Sequence, residues 1–192
     1  MRSYIISGAL AFLLPSLLVF GSVAIAERVL YRFLGVGGAY ALWAACYIAL
    51  TSWRVSALIQ RLPRMKTARL FAWAFVLYSM SWYAAYFMVG RRPGEWLAAF
   101  VSTFIFSFVL WTGIDRSTKL WRIFRWTLLG HLCGYFIGGE VYYFLRGAVG
   151  MILWGIFYGT FFGGGVGAAL FELNKNSASP ASEVLGDKKV VG

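Results

Sequence analysis

The chain has 192 residues, of which 60% are hydrophobic, 19% aromatic and only 13% charged, and its net charge is +11. A soluble domain carries roughly 45–50% apolar and about 25% charged residues, and one this small has too much surface to hide such an excess, so an ordinary soluble fold is excluded. The basic residues stand between apolar runs rather than on one binding face, which speaks for helix orientation and anionic headgroups and against nucleic acid.

Six apolar runs follow in chain order: 4–26, 33–53, 70–89, 96–114, 126–145 and 148–171. Each is near the ~20 residues that cross a ~30 Å hydrocarbon core as a helix. None shows the strict alternation of a membrane barrel strand. The expected fold is therefore all-α: a polytopic membrane bundle of six transmembrane helices over residues 1–172, followed by a disordered cytoplasmic tail over 173–192, which is polar, turn-rich and poor in apolar side chains.

The first run, with Arg2 ahead of it and Ala24-Ile25-Ala26 at its end, also has the outline of a secretory signal with an A-x-A cleavage site, although its apolar stretch is longer than a usual signal core. After the second run, Val55, Leu58, Ile59 and Leu62 recur at helical spacing and Pro63 ends the pattern, which predicts a short interfacial helix on the inner leaflet or, as the alternative, a cytoplasmic extension of the second helix. Counting Lys and Arg with the N-terminus inside gives 13 in the inner segments and 5 in the outer ones. The positive-inside rule then sets both termini inside and points to a bacterial cytoplasmic membrane.

Arg116, Lys119, Arg122 and Arg125 repeat at intervals of three, a spacing shared with voltage-sensing helices. No TVGYG-type filter accompanies them, and they read as a basic inner loop that fixes topology. Cys46 and Cys133 fall inside apolar runs with no CxxC spacing, which predicts buried, inert thiols and neither a disulfide nor a zinc site.

Glycine spacing is the least random feature. Gly130, Gly134 and Gly138 recur every four residues in the fifth run, and Gly155, Gly159, Gly163 and Gly167 do so in the sixth. Small residues in register allow close backbone approach where lipid gives no hydrophobic drive to association. Because a short link near Arg146-Gly147 joins the two helices, the expectation is that they pack groove on groove. Gly37, Ala41, Ala45 and Ala49 form a weaker stripe in the second run, suited to the same pair or to a partner subunit. The run Gly163-Gly164-Gly165 costs helix stability and marks a hinge or a close crossing.

Two polar residues stand out in the fifth run. Glu140 lies ~21 Å along the helix from Trp126 at 1.5 Å per residue, and an intramembrane carboxylate is a functional candidate by default. Its alternative place is the outer interface, beside Arg146, Arg91 or Arg92. His131 falls near the inner end of the run and, nine residues from Glu140, points to the other side of the helix. A shared His–Glu relay or metal site is therefore not expected.

No P-loop, H-E-x-x-H or G-x-S-x-G motif occurs, no paired carboxylates are present, and no cofactor is expected. In size, helix count and glycine-rich late helices the chain resembles the substrate-binding subunits of energy-coupling-factor vitamin transporters, which implies a solute-binding membrane component and carries over no site residue. Three functions follow as expectations: a small solute-transport component with a substrate or proton site near the fifth helix, an accessory subunit that docks a partner or a second copy through its glycine stripes, and an enzyme acting on a lipid-linked substrate.

Overall fold

The computed structural model describes residues 1–59 and 61–175, and these are all-helical, with no strand among them. The elements are α1 (Arg2–Ser56), α2 (Arg64–Val89), α3 (Arg91–Ile114), α4 (Leu120–Leu132), a π-helical turn (Cys133–Ile137), α5 (Gly138–Leu145) and α6 (Gly147–Lys175). Four of them, α1, α2, α3 and α6, are long and apolar enough to cross a membrane. Large apolar side chains such as Ile25, Phe33, Met88 and Phe144 are exposed on the outside of the bundle, as suits a protein whose surroundings are hydrocarbon.

Although α1 is 55 residues long, it is not one rod: Gly35 leaves helical geometry at φ 67°, ψ 172° and divides it into two arms. The arms fold back on one another, since the Arg54 guanidinium donates to the Leu10 carbonyl and Tyr31 packs against Tyr40 and Trp43. The α2–α3 and α5–α6 links repeat this geometry, with Gly90 at φ 69°, ψ 170° and Arg146 at φ 49°, ψ 177°. Without a Cβ, glycine enters this region at no steric cost, whereas Arg146 is strained there.

The three tight turns lie at one end of the bundle. The end of α1, the start of α2, the loop 115–119 and both ends of the described chain lie at the other. There the Asn174 amide donates to the Tyr4 hydroxyl and the Leu58 carbonyl, Arg61 pairs with Asp115 at 3.0 Å, and Arg122 pairs with Glu172 at 3.5 Å. Most of the basic residues gather at this end. The expected interfacial helix is not formed: α1 ends at Ser56, and the described residues 57–59 and 61–63 are turns and bends rather than helix. Val55 and Ile59 are buried in the core, with Leu58 packed against it, so the bundle itself satisfies their apolar stripe.

Helix α6 is the axis of the fold, and its glycines explain how. The stripe Gly155, Gly159, Gly163 and Gly167 packs on the first arm of α1, against Phe20, Leu13 and Ser16, Gly8 and Phe12, and Tyr4 respectively. Gly130, Gly134 and Gly138 also pack on α6, but against Phe161 and Gly165, Tyr158, and Trp154. Groove on groove is thus corrected, because the two stripes meet different partners and α6 is approached closely on two faces. Gly163-Gly164-Gly165 serves that double approach: Gly163 faces the first arm and Gly165 faces α4, within an unbroken helix and without a hinge.

The first arm closes the main face of α6, so removing residues 1–26 as a signal would strip the cover from its glycines. Gly37, Ala41, Ala45 and Ala49, by contrast, are exposed. Cys46 is exposed as well and Cys133 half-buried, both as free thiols. This corrects the expectation of buried thiols for Cys46, whose helix face looks away from the bundle. Helix α6 continues to Lys175, and Leu173 is fully buried. The rest of the expected tail lies outside the described residues.

The core is unusually aromatic, with Phe12, Phe71, Phe75, Phe106 and Phe162 fully enclosed or nearly so. Between α3 and α4 a buried hydroxyl pair, Ser107 and Thr127 at 2.7 Å, links helices that share no hydrophobic drive in lipid.

Candidate functional site

His131 anchors the site. Helix α4 begins at Leu120 rather than at the expected Trp126, so His131 lies ~16 Å along the helical stretch at 1.5 Å per residue, near the middle of residues 120–145 and not near their start. It is 1% exposed. Its Nδ1 shares a 2.8 Å hydrogen bond with the Tyr78 hydroxyl of α2, which lies 3.1 Å from the Tyr158 hydroxyl of α6. Its neighbours are a neutral hydroxyl and neutral rings, with no charged side chain in contact. The π-helical turn follows directly and carries Tyr135, whose ring stacks over the imidazole at 5.5 Å and 14°. Such turns frequently mark functional sites because they re-aim side chains within a helix.

The Tyr78–His131–Tyr158 cluster forms one wall of a cleft with two adjoining lobes. The first, of about 400 Å³, lies between the arms of α1, α2 and α6 and is lined by Phe20, Tyr40, Trp43, Tyr47, Trp154 and Tyr158, among others. The second, of about 380 Å³, adds Trp82, Tyr83, His131 and Tyr135. Both volumes fall in the ~300–1,000 Å³ range of small-molecule sites. The exposed Tyr40 and Tyr83 stand at the rim. Neither lobe is lined by an Asp, Glu, Lys or Arg.

Three polar atoms on these walls are buried with no hydrogen-bond partner among the described residues, Trp43 Nε1, Trp154 Nε1 and His131 Nε2, while the Tyr47 hydroxyl faces those of Ser16 and Thr51. Buried polar groups are nearly always satisfied, so each such exception calls for an explanation.

Glu140 is placed elsewhere. Helix α5 runs through Gly138-Gly139 without ending, yet Glu140 is exposed near the turn end of the bundle and pairs with Arg92 at 2.5 Å. The two residues, with Glu95, line a separate cavity of about 460 Å³ that meets the cleft at Tyr135 and Trp154. His131 and Glu140 thus occupy different sites. Among the described residues, no group of three or more His, Cys, Asp and Glu could hold a metal.

Sequence reasoning singled out His131 but missed Tyr47, Trp43, Tyr78, Trp154 and Tyr158. A signal for some of them was present, since Tyr40, Trp43 and Tyr47 share one helix face by spacing, as do Trp154 and Tyr158. Nothing in the sequence brought the two faces together. The chain matches no protein-family model, no curated protein and no solved structure.

Proposed function

We propose that the chain is a multi-pass protein of the bacterial cytoplasmic membrane that binds a neutral, apolar small molecule in the aromatic cleft, as the solute-recognising component of a transport system. On this reading six rods cross the membrane: the two arms of α1, then α2, α3, the α4–π–α5 rod and α6. Both termini are inside, with the basic end of the bundle on the cytoplasmic side. The observation that carries the function is the cleft itself, of about 400 Å³ in its first lobe, rimmed by exposed tyrosines and without a charged lining residue. A ligand reaching it from the bilayer needs no aqueous path.

The test uses the full chain in nanodiscs, with Cys46→Ser and Cys133→Ser removing the native thiols and Ser79→Cys placing one on a residue that lines both lobes. Apolar ring compounds are expected to slow maleimide labelling of that thiol. Labelling that no such compound slows counts against the cleft. Topology is checked by C-terminal fusions, which should report a cytoplasmic terminus.

A second reading, an accessory subunit, is favoured by the exposed small-residue face of Gly37, Ala41, Ala45 and Ala49, which leaves room for a helix of a second copy or of a partner subunit. Gly37→Leu should then disrupt a complex recovered from native membranes.

A further inference from the structure

The cleft's polar atoms carry more information than its volume. We infer that it takes a neutral, planar ring bearing carbonyl oxygens at opposite ends, the quinone class, with one carbonyl accepting a hydrogen bond from His131 Nε2; this inference rests on the ligand-binding reading above.

Four observations converge on that class. The walls are ring faces and edges: Phe20 meets Trp154 at 5.7 Å and Tyr158 at 6.4 Å between centroids, so the space suits a flat, apolar body that can stack. No charged side chain lines either lobe, which disfavours an ion, because a charge buried without a partner is costly. Two of the unpartnered atoms can only donate, and His131 Nε2 donates in one of its two tautomers. An indole N–H can only donate, and both Trp43 and Trp154 hold theirs buried and unused. Finally, the donors are spread over both lobes. Trp43 belongs to the first, His131 to the second, and Trp154 to both. A single acceptor at one end would leave the other lobe's donors without a partner, whereas two carbonyls across a ring serve both ends.

The hydroxyl chain fits the same assignment. With Tyr158 donating to Tyr78 and Tyr78 donating to His131 Nδ1, the imidazole carries its hydrogen on Nε2 and presents a donor. Reversing the chain makes Nε2 an acceptor, which matches a ring hydroxyl. One site thereby accepts a diketone and its dihydroxy counterpart without gaining charge.

The experiment uses the full chain in phosphatidylcholine nanodiscs with a decyl-substituted benzoquinone, ¹³C-labelled at the carbonyls, and decylbenzene as the analogue without acceptors. Affinity is read from protection of the Ser79→Cys thiol and hydrogen bonding from the infrared carbonyl stretch. The quinone should protect at lower concentration than decylbenzene, and its carbonyl band should move to lower frequency on binding. His131→Phe should weaken quinone protection about tenfold, the order expected for one lost hydrogen bond and a buried carbonyl left unmet, and should remove the part of the band shift that belongs to that carbonyl; His131→Gln, which keeps a donor, should recover part of both. Trp43→Phe, which retains a ring, is a second variant should His131→Phe fail to fold, and should weaken the quinone but not decylbenzene. Equal protection by the two compounds with an unshifted carbonyl band overturns the quinone assignment and leaves the apolar cleft standing, with water on the donors. Protection by neither compound overturns both readings.

Discussion

Gly8 and Gly163 approach so closely that neither position has room for a methyl group: a Cβ on either would run into the carbonyl oxygen of the other. This crossing seats α6 against the first arm of α1, and α6 in turn carries Tyr158 and Trp154 to the cleft. Gly163→Leu should therefore destabilise the bundle by about 1–3 kcal/mol or more, as overpacking does in a filled core. Gly139, with nothing near its would-be Cβ, is the control. Gly139→Ala should be neutral or gain up to about 1 kcal/mol from helix propensity. Thermal unfolding in detergent of the two variants, measured side by side, checks the contrast.

Tyr78 is the middle member of the buried hydrogen-bonded chain. Tyr78→Phe keeps the ring that stacks on Phe162 at 5.7 Å but leaves His131 Nδ1 and Tyr158 without their shared partner. A loss of about 1–3 kcal/mol is expected for buried polar groups left unsatisfied. Tyr83→Phe, at the exposed rim, should cost nothing measurable. Chemical denaturation of both variants separates hydrogen bonding from packing.

Asp115 supplies a pH dependence outside the helices. The Ser117 hydroxyl is the main cause that holds its carboxyl below the ordinary 3.8, at about 2, with the Ser117 backbone N–H, the Thr118 hydroxyl and Arg61 adding to it against the opposing effect of burial. A depressed folded pKa means that the Asp115 carboxylate contributes stability above the unfolded value and loses it as pH falls through the folded one. Melting temperature should therefore fall between about pH 4 and pH 2, and Asp115→Asn should flatten that part of the profile. A variant profile parallel to the parent's would show that Asp115 does not couple to folding.

Arg146 is a non-glycine residue at φ 49° and ψ 177°, a region that costs about 1–3 kcal/mol for a side chain with a Cβ. Its guanidinium sits 5.7 Å from the Tyr143 ring, a contact worth roughly 0.5–1 kcal/mol at an exposed site. Relief of strain is the larger effect, so Arg146→Gly should raise the melting temperature, and Gly90→Ala at the equivalent turn should lower it.

Glu140 and Arg92 form an exposed pair, and exposed pairs contribute at most about 1 kcal/mol. Glu140→Gln should leave unfolding nearly unchanged and should not alter labelling at Ser79→Cys. A large effect on either would return Glu140 to the centre of the function.

Composition excluded an ordinary soluble fold, because no soluble surface could hide so much apolar side chain, and the length and lack of alternation of the apolar runs made the chain all-helical with membrane-like helices. Spacing also drew attention to the close-packing glycines and to His131. The partners of those residues lay beyond its reach. Gly163 against Gly8, and Gly130 against Gly165, depend on which face α6 turns to each neighbour, and stripes in two helices do not encode their mutual rotation. The helix boundary mattered as well, since α4 starts several residues ahead of the apolar run, and that shift moves His131 from near the start of its helical stretch to the middle. The cleft is a purely tertiary object. Tyr47, Tyr78, His131 and Tyr158 lie on four different rods, and only the folding of α1 back at Gly35 and the close seat of α6 on its glycines bring their rings to one place.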